Sequence, residues 1–388
     1  MKKAVLRFII AMIAVSMVGT FSLVGCQPTA VETTEGETAA ATEGETAAAE
    51  EAEFSEKDAL EQNVFGRMNP EKPVPKEKWK IGFVVQGLNH PYSQDIQKGY
   101  LAAAADFGDQ IELIEYDCQL DATIEIKMIE AAIQDQVDIV ILHAVDPALG
   151  PRISQMLKDA GIVLLGCDTH PGLPNHFIGL ENFKNGFLSG QRVGKMVKEA
   201  GWDYKNDLMY FQLWNTAFYA CTLRGNGIRA GFLSEIPDFP VDEKWIDTDI
   251  GFSAEDVQPN FADLITANPS KYYAVSGCIE TNALGAAAAL KAAGYTPDTA
   301  MVTTCGGTAQ DREELMREGT LLVGASLQRP EEEAVGAVFY AIRILNGEEV
   351  PSDVVHYPFI GTKDTLGDFY PWSYKGYYDA RYELVPEE

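Results

Sequence analysis

The side chains best suited to chemistry stand at the ends of apolar runs. Ile81 to Val85 is one such run, and the polar loop Gly87-Leu88-Asn89-His90-Pro91-Tyr92-Ser93 follows it directly. His90 and Tyr92 supply hydrogen-bonding groups and an aromatic ring there. A second run, Ile162 to Cys167, delivers Asp168 at its end. A carboxylate, an imidazole and a phenol can together hold a small polar molecule by hydrogen bonds. Bond-breaking machinery is not evident, because HExxH, P-loop and GxSxG patterns are absent. Gly225-Asn226-Gly227 with Gly231 resembles a loose dinucleotide fingerprint, but it follows the polar Thr222-Leu223-Arg224 and not a strand. Asp168, His170 and His176 could be drawn as metal ligands, yet two prolines lie in their loop and turn chemistry accounts for them. The expectation is therefore binding without catalysis, cofactor or metal.

Regular elements must position these groups. From Lys80 onward, strand-like and helix-like stretches alternate. Strands are expected at Ile81–Val85, Ile111–Tyr116, Val137–Val145, Ile162–Cys167 and Phe177–Gly179. Asp121 is expected to cap a helix with Ile124, Met128, Ile129, Ala132 and Ile133 on its apolar face, and Asp146-Pro147 to start another. The near-continuous apolar character of Val137–Val145 suits a strand covered on both faces. The alternation then repeats. A helix is expected at Asn182–Ala200, packing through Phe183, Phe187, Val193 and Val197. Strands follow at Leu208–Trp214, Lys244–Ile250, Tyr272–Cys278, Ala300–Cys305 and Leu321–Leu327, and helices end at Glu235, span Asp256–Ala267 and Thr281–Ala293, and close with Glu331–Leu345. This is the pattern of parallel, doubly wound sheets. Ligands of such folds bind beyond the carboxyl ends of the strands, where His90, Tyr92 and Asp168 stand. Two successive sets of units imply two similar lobes with a cleft between them.

The flanks are different in kind. Lys2, Lys3 and Arg7 precede an apolar run from Phe8 to Val24, and Leu23-Val24-Gly25-Cys26 ends it. This resembles the lipobox of bacterial lipoproteins, which implies that Cys26 is lipidated and heads the mature chain outside the cytoplasm. The next segment carries TEGETAAA twice, at Thr34–Ala41 and Thr42–Ala49, and has few large apolar groups; it is expected to be a disordered acidic tether. The whole chain has 30 basic and 58 acidic residues, a formal charge of −28, which argues against nucleic acid or anionic lipid head groups as partners. Cys118, Cys167, Cys221, Cys278 and Cys305 show no CxxC or zinc spacing and read as small buried hydrophobes, with one disulfide possible. The stretch from about Thr362 to Glu388 is rich in Tyr and Phe, with Trp372, and is expected to pack on a lobe or to cover the cleft or hinge.

From about Lys80 to Ile360, the order and spacing of elements and several local sequences resemble the type I periplasmic binding proteins of sugar importers, the ribose- and galactose-binding group. The resemblance implies an α/β fold of two similar doubly wound parallel-sheet lobes joined by a three-strand hinge, with crossings near Glu181, Gln328 and Phe359. It divides the chain into a leader (1–25), a lipidated Cys and tether (26–78), an N-terminal lobe (79–181 with 329–358) and a C-terminal lobe with the tail (182–328 with 359–388). It places ligand contacts on His90 and Tyr92 of LNHPY, Asp168 of LLGCDTH, Arg224 of TLRGNG and Gln328 of SLQRP. The family's Asn-Asp before ALGA becomes Ile279-Glu280 here, and its later aspartate becomes Gly306. Two second-lobe polar contacts of the ribose binders are thereby replaced. A sugar would suit the set: Asp168 accepts from two hydroxyls, Arg224 donates to two oxygens, Gln328 does both, and Tyr92 offers a ring that Trp214, Phe218 or Tyr219 could oppose. The function implied is capture of an uncharged, hydroxyl-bearing monosaccharide or polyol by a monomeric, lipid-anchored protein that hands it to an ABC permease. The alternatives are presentation of the closed form to a membrane receptor, or an extracellular sugar-acting enzyme.

Overall fold

The computed structural model describes residues 72–169, 176–216 and 218–366. The apolar leader, Cys26, the tether repeats, His170 and the aromatic residues of the tail lie outside them. The first half of the described chain forms β1 (Trp79–Val85), α1 (Pro91–Ala105), β2 (Ile111–Asp117), α2 (Ala122–Gln134), β3 (Ile139–Leu142), α3 (Gly150–Ala160), β4 (Val163–Cys167) and β5 (His176–Leu180). The second half forms α4 (Asn182–Glu199), β6 (Leu208–Leu213), α5 (Tyr219–Glu235), α6 (Val241–Lys244), β7 (Trp245–Thr248), α7 (Ala254–Ala267), β8 (Tyr272–Gly277), α8 (Glu280–Ala292), β9 (Ala300–Gly306), α9 (Ala309–Met316) and β10 (Leu322–Leu327). α10 (Pro330–Leu345), β11 (Asp353–His356) and β12 (Phe359–Gly361) complete it.

These strands make two six-stranded sheets, ordered β11-β5-β4-β3-β1-β2 and β12-β10-β9-β8-β6-β7. All neighbours pair in parallel except β12, which runs antiparallel to β10. The sheet order shows the two-lobe α/β architecture. The chain passes from the first sheet to the second between Leu180 and Asn182, and after β10 α10 packs back on the first sheet. It crosses again between His356 and Phe359. Each sheet is covered on both faces, by α1 and α10 against α2 and α3 in the first lobe.

β3 is shorter than its apolar run. Beyond Leu142 the N–H groups of Val145 and Asp146 are taken by the Glu125 carboxylate of α2, at 2.9 and 3.4 Å, so the segment leaves the sheet. Asp121 caps α2 as expected, accepting from the N–H of Thr123 and Ile124. Asp146 caps a short 3-10 turn, Pro147–Leu149, ahead of α3.

α4 and α5 cross through glycines. A Cβ at Gly186 would overlap the Arg224 carbonyl oxygen and lie 2.7 Å from the Arg224 Cα; one at Gly190 would lie 2.7 Å from the Ile228 carbonyl carbon. From the other side, a Cβ at Gly227 would lie 2.7 Å from the Phe187 N, and one at Gly231 2.8 Å from the Gln191 N. Side chains there would force the backbones apart. The glycines that resemble a dinucleotide fingerprint therefore serve helix packing. Phe183, expected to pack, is 42 % exposed.

Candidate functional site

The carboxyl ends of the two sheets face one another, and the loops leaving them carry the candidate residues. Pro91 opens α1, and His90 stands at its N-cap with no side-chain capping bond, so the imidazole is available to the cleft. Asp168, just past β4, has φ 57, a left-handed conformation uncommon for a non-glycine residue. Its N–H bonds the Ile178 carbonyl of β5 at 3.0 Å. That turn points the carboxylate into the cleft. Arg224 comes from α5 beside the glycine crossing, Glu280 is the first residue of α8, and Gln328 follows β10 at a hinge crossing.

Seven of the residues singled out from the sequence line one cavity: His90, Tyr92, Asp168, Phe218, Arg224, Glu280 and Gln328. Gln86, Thr169, Cys221, Phe252 and Ile279 help to complete its wall. The centre of a water molecule can occupy about 50 Å³ of it. That is room for only a few waters.

Neither Tyr219, which is 59 % exposed, nor Trp214 lines this cavity. The Trp214 indole Nε1 donates to Asp247 Oδ1 at 2.9 Å, and its ring covers Gly225, where a Cβ would lie 2.6 Å from Cε3. His176, drawn with Asp168 as a metal ligand, instead lies at the start of β5 with Nδ1 3.5 Å from the Tyr340 hydroxyl. The five described cysteines are free and buried.

Asp168 is the best-supported polar group in the cleft. Tyr92 donates its hydroxyl to Oδ1 at 3.0 Å, and His143 Nε2 and Thr169 Oγ1 reach Oδ2 at 2.9 and 3.3 Å. Burial alone would push this carboxyl up. The hydrogen bond and charge of His143, the charge of Arg224 and the Tyr92 hydroxyl outweigh it and hold the group below the usual carboxylate range. Arg224 is similarly fixed: Nε donates to Asn182 Oδ1 at 2.7 Å, Nη2 to Gln328 Oε1 at 3.3 Å and Nη1 to the Cys278 carbonyl at 3.4 Å. Asn182 starts α4 and Gln328 follows β10, so Arg224 ties two crossing segments to the cavity wall.

Glu280 and His90 are less satisfied. Burial first, then nearby Asp95, pushes the Glu280 carboxyl up to about 7, against the pull of its own backbone and Arg224. Burial first, then the neighbouring His143 and the Arg224 guanidinium, pushes the His90 imidazole down to about 4, with Asp168 opposing. The two groups approach to 3.7 Å, Nε2 to Oε1, longer than a hydrogen bond.

Sequence reasoning did not single out His143, Asn182, Phe252 or Asp311. His143 was hidden in an apolar run, where the one histidine before Ala144-Val145-Asp146 was the available signal. Asp311 carries more weight. A Cβ at Gly306 would overlap its Oδ2 and lie 2.9 Å from the Glu280 Cβ. The space left by the missing side chain at 306 is therefore occupied by a carboxylate from the next helix.

Residues 81–349 match the family described as periplasmic binding protein domain. Among solved structures, an ABC transporter periplasmic solute-binding protein from Actinobacillus succinogenes 130z, with bound D-allose, is 19% identical, with TM-score 0.65 over 75% of this chain and 100% of that one. An ABC transporter solute-binding protein from Bacillus halodurans C-125, with bound myo-inositol, is 22% identical, with TM-score 0.65 over 80% and 100%. A protein from Mycobacterium smegmatis in complex with beta-D-fucofuranose is 18% identical, with TM-score 0.66 over 80% and 100%. At these identities the likeness is one of fold. No curated protein matches the sequence.

Proposed function

The chain belongs to the periplasmic binding protein domain family, a family of binding proteins and not of enzymes, and from that premise we propose that it captures a monosaccharide or sugar-like polyol in the inter-lobe cleft and delivers it to an ABC transporter permease. The observation that carries this reading is the convergence of Tyr92 and Asp168 from one sheet with Arg224 and Gln328 from the other on a single cavity. Vicinal hydroxyls of a sugar both donate and accept. Asp168 accepts, Arg224 donates, and Gln328 does both, while Tyr92, Phe218 and Phe252 present rings to the C–H faces. Closure around the guest shifts an open–closed equilibrium, and the closed form is what the permease engages.

We further propose that Cys26 carries a lipid that holds a monomeric protein on the outer side of the cell membrane through the acidic tether. Among the described residues no helix is long and apolar enough to cross a membrane, which is compatible with attachment by a lipid alone. Lipid labelling of the native protein, lost on Cys26→Ser, is the expected result; labelling that survives overturns the anchor.

The ligand reading is tested by thermal unfolding of the purified protein against monosaccharides, polyols and nucleosides. A ligand at ~100-fold excess over its dissociation constant stabilises by ~3 kcal/mol. Stabilisation by a sugar or polyol, abolished in Arg224→Ala, is expected. Stabilisation by nucleosides alone, or none by any sugar or polyol, overturns the reading.

A further inference from the structure

The polar groups at the two ends of the cleft differ in how fully they are already satisfied. Asp168 holds three side-chain donors and faces Arg224, which is itself engaged three times. Glu280 is 1 % exposed and lines the cavity, yet its Oε1 has no hydrogen-bond partner. His90 Nε2, 3.7 Å away, has none either. The charged and titratable groups around Glu280 are His90 and Asp95 from the start of α1, Arg224 from α5 and Asp311 from α9; behind them Lys98 of α1 pairs with Asp95, and Arg312 of α9, next to Asp311, pairs with Glu331, so neither cation is left for Glu280. Arg224 is already the counter-charge of Asp168, and His90 is neutral at ordinary pH. Acid therefore exceeds base at this end of the cleft.

The wall beside Glu280 is aromatic. The His90 and Phe252 rings stand 4.7 Å apart and the Phe252 and Phe218 rings 5.4 Å, and all three line the cavity. An uncompensated carboxyl among ring faces suits an ammonium group, which pairs with the acid and is attracted by the rings. A hydroxyl in the same place meets the carboxyl without the charge-assisted pair that an ammonium forms.

We propose that Glu280 selects a guest bearing a protonated amine, an amino sugar or amino polyol whose ammonium donates to Glu280 Oε1 while its hydroxyls meet Asp168 and Arg224. This rests on the reading of the cleft as a sugar site, and it replaces the uncharged guest expected from sequence.

The test is calorimetric titration of the purified protein with matched sugars that differ at one position: hydroxyl, amine and N-acetyl forms of glucose, galactose and mannose. At about pH 6.5 a sugar amine is largely protonated, while a carboxyl near 7 is largely not ionised. In at least one set the amine is expected to bind about tenfold or more tightly than its hydroxyl and N-acetyl counterparts. Its binding should also release protons as Glu280 ionises, read by repeating the titration in two buffers of different ionisation enthalpy. In Glu280→Gln the amine-to-hydroxyl affinity ratio should fall about tenfold. Equal or tighter binding of the hydroxyl form in every set overturns the inference and leaves the sugar reading standing, as does an unchanged ratio in Glu280→Gln. Failure of every sugar to bind overturns the sugar reading and this inference with it.

Discussion

A methyl group added at Gly186 should damage the site from the side opposite the cleft. Its Cβ would overlap the Arg224 carbonyl oxygen and lie 2.6 Å from the carbonyl carbon and 2.7 Å from the Cα. Non-bonded carbons need roughly 3.5 Å, so α4 and α5 would have to part by about 1 Å. No rotamer change relieves the clash, because every partner atom is backbone. Alanine gains about 1 kcal/mol over glycine in helix propensity, whereas overpacking of this kind loses about 1–3 kcal/mol or more. Gly186→Ala is therefore expected to be destabilised by up to about 2 kcal/mol in urea unfolding, with an unchanged m value. It should also lose sugar affinity by about tenfold or more, because the displaced backbone takes the Arg224 guanidinium from Asn182 and Gln328. Gly194, on the same helix, is the control. Its Cβ would meet the Glu235 Cβ at 3.0 Å and the Phe232 oxygen at 3.2 Å, contacts that small shifts can relieve. Gly194→Ala should be within about 1 kcal/mol of wild type. Equal stability and affinity of the two variants would refute the close crossing as the device that sets Arg224.

Other substitutions test the cleft itself. Asp168→Asn keeps the shape but loses the charge that faces Arg224 and two charge-assisted acceptors, and titration should show affinity lower by about a hundredfold or more. His143→Leu removes a 2.9 Å bond to Asp168 without touching the cavity, and about a tenfold loss is expected in the same titration. Glu280→Gln should stabilise the empty protein at pH 8 but not at pH 4.5: a carboxyl raised from 4.5 to about 7 on folding adds stability below its unfolded value and loses it as pH rises to 7, a penalty on the order of 3 kcal/mol that the amide escapes, measurable by urea unfolding at the two pH values. The five buried thiols should resist iodoacetamide in the native protein and react once it is unfolded, followed by mass spectrometry.

The parallel strands were legible because burial on both faces writes itself as unbroken apolar runs, and their ends located His90, Tyr92 and Asp168 without any coordinates. Less legible was whatever depended on distant partners. β3 ends early because Glu125, on the preceding helix, captures two N–H groups, and nothing within Val137–Val145 announces it. His143 looks like a polar interruption of a core strand until Asp168 is placed beside it. The glycines at 186, 190, 227 and 231 mean little singly; their spacing of four on two helices becomes informative once those helices are known to cross. Trp214 was credible as a sugar platform by type and position after a strand, but the glycine at 225 gave its ring a nearer seat. β11 and β12, four and three residues long, are too short for periodicity to declare.

The contrast between the two carboxyls also bears on how the jaws work. Asp168 is paired within its own lobe by Tyr92, His143 and Thr169, so three of its partners do not depend on the second lobe. Glu280 belongs to the second lobe and meets His90 of the first only when the lobes come together. Closing over an empty cleft thus buries Oε1 and Nε2 without partners, and each such group disfavours that state by about 1–3 kcal/mol. A guest that donates to Glu280 removes the penalty at the same moment that it gains the contacts of Asp168 and Arg224. A ligand shifts a conformational equilibrium only by its differential affinity for the two states. An unsatisfied acid at the meeting line of the lobes supplies such a differential, because its needs arise only on closure and only the right guest meets them.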